Sequence, residues 1–206
     1  MKHSAMMNQQ LLDSKSAKTE TSIHPLIGKR WSPRAFSSQP VPQVILNTLF
    51  EAASWAASAF NEQPWQYIYA HHADEAGFSR LLSCLNEGNQ AWAKDAGVLV
   101  LSLAQPNLSR NDRPNRHYMH DTGAANTNLL LQAADLDIYG HMMGGFDYEK
   151  TVAEFDLNKD GLEPVCFIAL GYLGDPEQLD EPLRSREQGT RSRKPLNAFT
   201  YKITGS

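Results

Sequence analysis

The run Val98-Leu99-Val100-Leu101-Ser102-Leu103 places apolar side chains at both odd and even positions. Side chains in a strand alternate between two faces, so such a run reads as a strand covered on both sides. A strand of that kind restricts the chain to layered architectures. The segments around it supply the layers. Residues 42–57 repeat apolar positions (Ile45, Leu49, Ala52, Ala53, Ala56) at helical spacing, with Pro42 suited to the first turn. Residues 65–71 read as a strand. Residues 74–85 read as a helix with Asp74 near its N-cap, and 89–96 as a short helical turn. Residues 115–136 form the longest expected helix, with Leu129, Leu130, Leu131, Ala133 and Ala134 implying burial nearly all round. A short strand over 138–143, a helix over 148–155 and a last central strand over 165–173 follow. Helices and strands alternate irregularly, so the expectation is a layered α+β domain with helices packed on a mixed sheet.

The chain of 206 residues has a formal net charge of −4 and is 41% hydrophobic, which fits one globular domain with a core large enough to stand without disulfides. Cys84 and Cys166 sit in apolar contexts and read as core thiols, so a reducing, cytoplasmic setting is expected. No stretch approaches the ~20 apolar residues of a membrane helix. Residues 1–22 read as a polar, flexible arm and 23–206 as the single domain. The acidic balance argues against a general nucleic-acid coat, so any anion site must be a local cluster of cations.

Four short motifs could carry chemistry. In Arg30-Trp31-Ser32-Pro33-Arg34, Ser32 precedes a proline and is biased to extended geometry. An extended chain puts Arg30, Ser32 and Arg34 on one face and Trp31, Pro33 and Ala35 on the other. Two guanidinium forks beside a hydroxyl suit a phosphate, although a solvated basic edge has the same pattern. Arg191-Ser192-Arg193 repeats the device in an arm that also carries Arg184, Arg186 and Lys194. In Asn61-Glu62-Gln63-Pro64-Trp65, extended geometry would aim both amides the same way, able to meet a flat polar heterocycle. Local capping of the backbone is the alternative. Gly144-Gly145 lies between a strand and a helix, where a ligand can approach the backbone closely. Residues 106–115 read as a polar loop bordering a binding mouth. Asp156 to Gly161 begins like a calcium loop but has Pro164 and Phe167 where later ligands belong. His117 and His120 lack a third ligand at metalloprotease spacing, so no metal is assigned.

The order of these motifs, Arg-x-Ser-x-Arg, then Asn-x-Gln-Pro-Trp, then Gly-Gly, then Arg-x-Arg, resembles the FMN-dependent nitroreductase family over residues 25–201. The resemblance implies a three-layer α/β/α fold with a central mixed, mainly antiparallel sheet, an extended C-terminal arm and an intertwined homodimer holding FMN at its interface. It further implies that Arg30, Trp31, Ser32 and Arg34 line the FMN, and that Arg191 and Arg193 close on its phosphate. Ala57, Ser58 and Asn61 would approach the flavin from the partner subunit, with Gln63 beside them. Asn89 would meet the pyrimidine edge, and Gly144 and Gly145 would lie near the flavin N5. The implied activity is ping-pong reduction of nitroaromatics, quinones or related acceptors by NADH or NADPH. A same-fold dehalogenase or oxidase is the alternative, and a non-catalytic nucleotide- or RNA-binding protein a further one. The chain departs from the family pattern at Trp92, where many relatives have Lys, at Gly144, where many have an acid, and at Trp31.

Overall fold

A computed structural model describes residues 11–204. Four strands, β1 (Trp65–His71), β2 (Val98–Ala104), β3 (Tyr139–Met143) and β4 (Glu163–Gly171), form one sheet in the order β1-β2-β4-β3. Every pairing is antiparallel, so the described strands lack the parallel component expected of a mixed sheet. β2 is buried along its whole length, as its unbroken apolar run requires.

Each face of β2 meets its own layer. Leu99, Leu101 and Leu103 join a core with Phe78, Leu81, Trp92 and Phe167, while Val98 and Val100 join another with Leu46, Leu49, Leu129, Leu130 and Ile168. The first core is capped by α3 (Glu75–Ser83), α4 (Glu87–Ala93) and α6 (Tyr148–Glu154). The second is capped by α2 (Gln43–Ser54) and α5 (Tyr118–Asp135). Two helical layers therefore enclose the sheet, as the family likeness implied. Each fully buried leucine contributes on the order of 2 kcal/mol from lost apolar hydration. Truncating Leu101, central in the sheet, would cost about 2–5 kcal/mol.

Local signals were mostly sound. Asp74 caps α3 by accepting from the Gly77 amide, and Pro42 stands at the N-cap of α2. Burial all round α5 is corrected: its buried positions (Asp121, Thr122, Ala125, Asn126, Leu129, Leu130, Ala133, Ala134) form one stripe at helical spacing, while Thr127 and Asp135 are exposed. Inside that stripe Asn126 accepts from Tyr67 and Ser102 at 3.0 and 3.1 Å. Ser102, the only hydroxyl in the β2 run, is thereby satisfied.

The arm expected over residues 1–22 is only partly described, because residues 1–10 lie outside the described set. Residues 11–15 are helical, and Leu11 packs with Trp31 and Tyr139 in a small third cluster. The expectation of a flexible arm is therefore corrected for this stretch. A short helix α1 (Pro25–Lys29) follows, α7 (Leu157–Asp160) precedes β4, and α8 (Leu183–Gln188) lies in the C-terminal arm. Beyond it, Phe199, Tyr201 and Ile203 are exposed in the single chain. No helix among the described residues is long and apolar enough to cross a membrane. Cys84 and Cys166 are buried and free; burial pushes the Cys166 thiol up to about 12.

Candidate functional site

Residues 30–35 bend at Arg34, yet their burial alternates as the sequence implied: Trp31, Pro33 and Ala35 are buried, while Arg30, Ser32 and Arg34 are partly exposed. The segment forms no regular strand; Phe36 makes a single bridge to Leu173. Side chains hold it instead. Glu187 Oε1 accepts from the Arg34 and Ala35 amides at 2.8 and 3.0 Å. The Ala35 carbonyl accepts from the Gly174 amide at 2.9 Å, and His141 Nδ1 meets the Pro33 carbonyl at 3.0 Å. Glu187 is 1% exposed. Burial raises its pKa, opposed by the Ala35 and Arg34 amides and by the Arg34 and Lys15 charges.

The outer face of this segment opens on a pocket of about 210 Å³ lined by Lys15, Arg30, Ser32, Arg34, Arg186, Arg191, Arg193 and the carboxylate of Glu187, with Trp31 behind them. Six cations thus face one acid. Burial lowers the pKa of Arg30 and Arg191, and their neighbours' charges lower both further, yet arginine stays protonated throughout the physiological range. The site therefore holds a surplus of positive charge in a partly desolvated place.

Arg191 is used differently from its sequence expectation. Its Nη1 donates to the Arg30 carbonyl at 2.6 Å and its Nη2 to the Gly28 carbonyl. Of its three side-chain nitrogens Nε alone is buried without a partner. Trp31 is 3% exposed and packs against Tyr139, so it floors the pocket rather than reaching into it.

A second group of residues adjoins the first through Trp92. This indole is 1% exposed. Arg34 Cζ lies 5.9 Å over its ring, and the His141 ring is tilted against it at a centroid distance of 4.7 Å. One turn earlier on α4, Asn89 Nδ2 donates to the Gly145 carbonyl at 2.9 Å. A Cβ at Gly145 would come within 2.8 Å of that nitrogen, whereas one at Gly144 would meet open space. Asn89 and Gly145 are therefore in direct contact, with Gly144 beside them.

Ala57, Ser58, Asn61 and Gln63 are not part of this assembly, since none lines the cationic pocket. Their loop packs near the start of α5, where Asp121 accepts from the Ala59 amide at 2.9 Å. The extended geometry expected for Asn61 and Gln63 is corrected. Phe60, Asn61 and Gln63 all have positive φ (55°, 59° and 47°), a strained choice for non-glycine residues. The Gln63 amide donates to Ser58 Oγ at 3.1 Å, and its side chain folds back on the Asn61 carbonyl at 3.1 Å. These local bonds override the preference that Pro64 imposes.

Sequence patterns left out Lys15, His141 and Glu187. Glu187 was discoverable as the one acid within the basic 184–194 cluster. Lys15 and His141 carried no signal beyond their own chemistry.

The model of the nitroreductase family matches residues 27–83 and 75–172. The chain belongs to the nitroreductase family. A solved structure described as an oxidoreductase containing FMN is 36% identical, with a TM-score of 0.84, over 92% of this chain and 96% of that one. A Ralstonia nicotianae protein provisionally named NADH dehydrogenase/NAD(P)H nitroreductase is 30% identical over 68% of this chain and 79% of its own length. An uncharacterised 15.4 kDa protein of Mycolicibacterium smegmatis is 36% identical over 64% of this chain and 86% of its own. The segments matched to the nitroreductase model hold Arg30 to Arg34, the 57–63 loop, Asn89 and both glycines, but not Lys15, Glu187, Arg191 or Arg193.

Proposed function

We propose that this nitroreductase-family chain binds FMN and uses NADH or NADPH to reduce nitroaromatics, quinones or related acceptors in a ping-pong cycle. The surplus of cations in the 210 Å³ pocket carries the reading. A site with an unpartnered buried Arg191 Nε and partly desolvated guanidinium groups fits a dianion with several acceptor oxygens. The phosphate of FMN has that chemistry.

Arg30, Ser32, Arg193 and Arg191 Nε would hold the phosphate end. Arg34, packed over Trp92, would lend positive charge toward the pyrimidine edge, and Asn89 would offer its amide there. Gly144, open where a Cβ would sit, leaves room for a flat ring to approach the backbone. Bound FMN supplies the two-electron chemistry, and the chain supplies position, charge and exclusion of water. Ala57, Ser58, Asn61 and Gln63 would complete the site from the partner subunit of a homodimer. Their distance from the pocket within one chain, and the exposed Phe199, Tyr201 and Ile203 of the C-terminal arm, support that arrangement. Residues 23–206 would act as one unit. The two free thiols fit a cytoplasmic protein.

The visible absorbance of freshly purified protein, with chromatographic identification of the released flavin, tests the cofactor. Stopped-flow reduction by NADH and by NADPH tests the donor. Slow or absent reduction by both would favour a same-fold flavoenzyme with another reaction.

A further inference from the structure

The segment ahead of the family-matched region brings one charge into the pocket. Lys15 is 4% exposed, although lysines normally leave the ammonium in water. Leu11, packed with Trp31 and Tyr139, seats the helical residues 11–15. From there Lys15 Nζ donates to the carbonyls of Arg186 and Gly189 and lies 4.9 Å from the Trp31 ring centroid. An ammonium has three donors, so two carbonyls leave one for the pocket that it lines.

In the same pocket, Glu187 Oε1 already accepts from the Arg34 and Ala35 amides, while its Oε2 is buried without a hydrogen-bond partner. Burial lowers the pKa of Lys15; Glu187 opposes this, while Arg191 and Arg34 add to it. A buried cation among other cations is costly unless something negative joins it.

We propose that Lys15 is a binding residue for the phosphate end of the cofactor, contributed by a segment that the family model does not include. The ligand group is a phosphate monoester dianion. This rests on the FMN reading above, and the test separates the two.

Dissociation constants for FMN and riboflavin are measured by flavin fluorescence on the full-length chain freed of flavin, as wild type, Lys15→Met and Lys15→Arg. Riboflavin has the same ring and no phosphate. Methionine keeps the apolar stem over Trp31 without the charge. Lys15→Met should weaken FMN about tenfold, the worth of one charge-assisted bond, and leave riboflavin within about twofold. Lys15→Arg should recover most of the loss. Equal weakening of both ligands would reduce Lys15 to a structural tie, and no weakening would remove it from the site; either overturns the proposal. If the wild type binds neither flavin, the FMN reading fails by itself. Inorganic phosphate, followed by thermal shift on the same three proteins, then decides for Lys15. Stabilisation lost in Lys15→Met and kept in Lys15→Arg supports the assignment, and equal stabilisation in all three overturns it.

Discussion

Acidification should weaken this fold through one histidine. His141 on β3 lies 4.7 Å from Trp92 and bonds the Pro33 carbonyl. Burial chiefly drives its pKa from 6.5 to about 4; Arg34 and Arg30 add to the shift, and the Pro33 and Ser32 backbone opposes it. Above the unfolded value neither state of the chain holds the proton, so stability there is unaffected. Between 6.5 and about 4 the unfolded chain takes a proton that the folded chain refuses, and stability falls; below about 4 this loss is complete. A shift of about 2.5 units corresponds to roughly 3 kcal/mol, of which about 2 is lost by pH 5.

Urea unfolding at pH values of about 7.5 and about 5, at one protein concentration, reads this out. The two conditions lie on either side of the pI of about 6.0. His141→Asn keeps an amide donor toward Pro33 and cannot titrate. It should lose about 2 kcal/mol less than wild type between the two conditions, since the other histidines titrate alike in both proteins. Equal losses would refute the reasoning, as would a wild-type His141 ring that titrates near 6.5 by NMR.

Three further outcomes are expected. Gly174→Ala would drive a Cβ into the Phe36 carbonyl and should cost about 2–3 kcal/mol while loosening the Arg34 segment; an unchanged urea midpoint would contradict it. Asn126→Ala strands the Ser102 and Tyr67 hydroxyls in the core and should cost about 2–4 kcal/mol in the same assay. Arg30→Ala combined with Arg193→Ala should lower FMN affinity at least about a hundredfold and yield largely apo protein; full flavin absorbance in that variant would refute the phosphate assignment.

Legibility in the sequence followed the range of the forces involved. The β2 run showed that the sheet is covered on both faces, because burial on two faces is written residue by residue. The Arg30 to Arg34 alternation was equally plain, since Pro33 fixes local geometry and the charges do the rest. The shape of the 60–63 loop was hidden. Three left-handed residues there answer to a serine hydroxyl and a buried aspartate rather than to their own preferences. The role of Arg191 was hidden for a similar reason, because its partners are carbonyls some 160 positions away. The seating of residues 11–15 depends on Leu11 packing with Trp31 and Tyr139, which no local pattern announces.

The two-sided burial of residues 30–35 has a consequence for how this site can change over time. Its outward side chains can be exchanged one by one, arginine for lysine or glutamine, with the inward set still anchoring the segment. Ligand preference can therefore drift while the scaffold stays fixed. Inserting or deleting a single residue between Trp31 and Pro33 would do the opposite. It would reverse the alternation on one side of the change, turning an arginine toward the core and a buried residue toward water. This stretch tolerates recolouring but not respacing, so length variation among relatives should be found in the loops on either side of it.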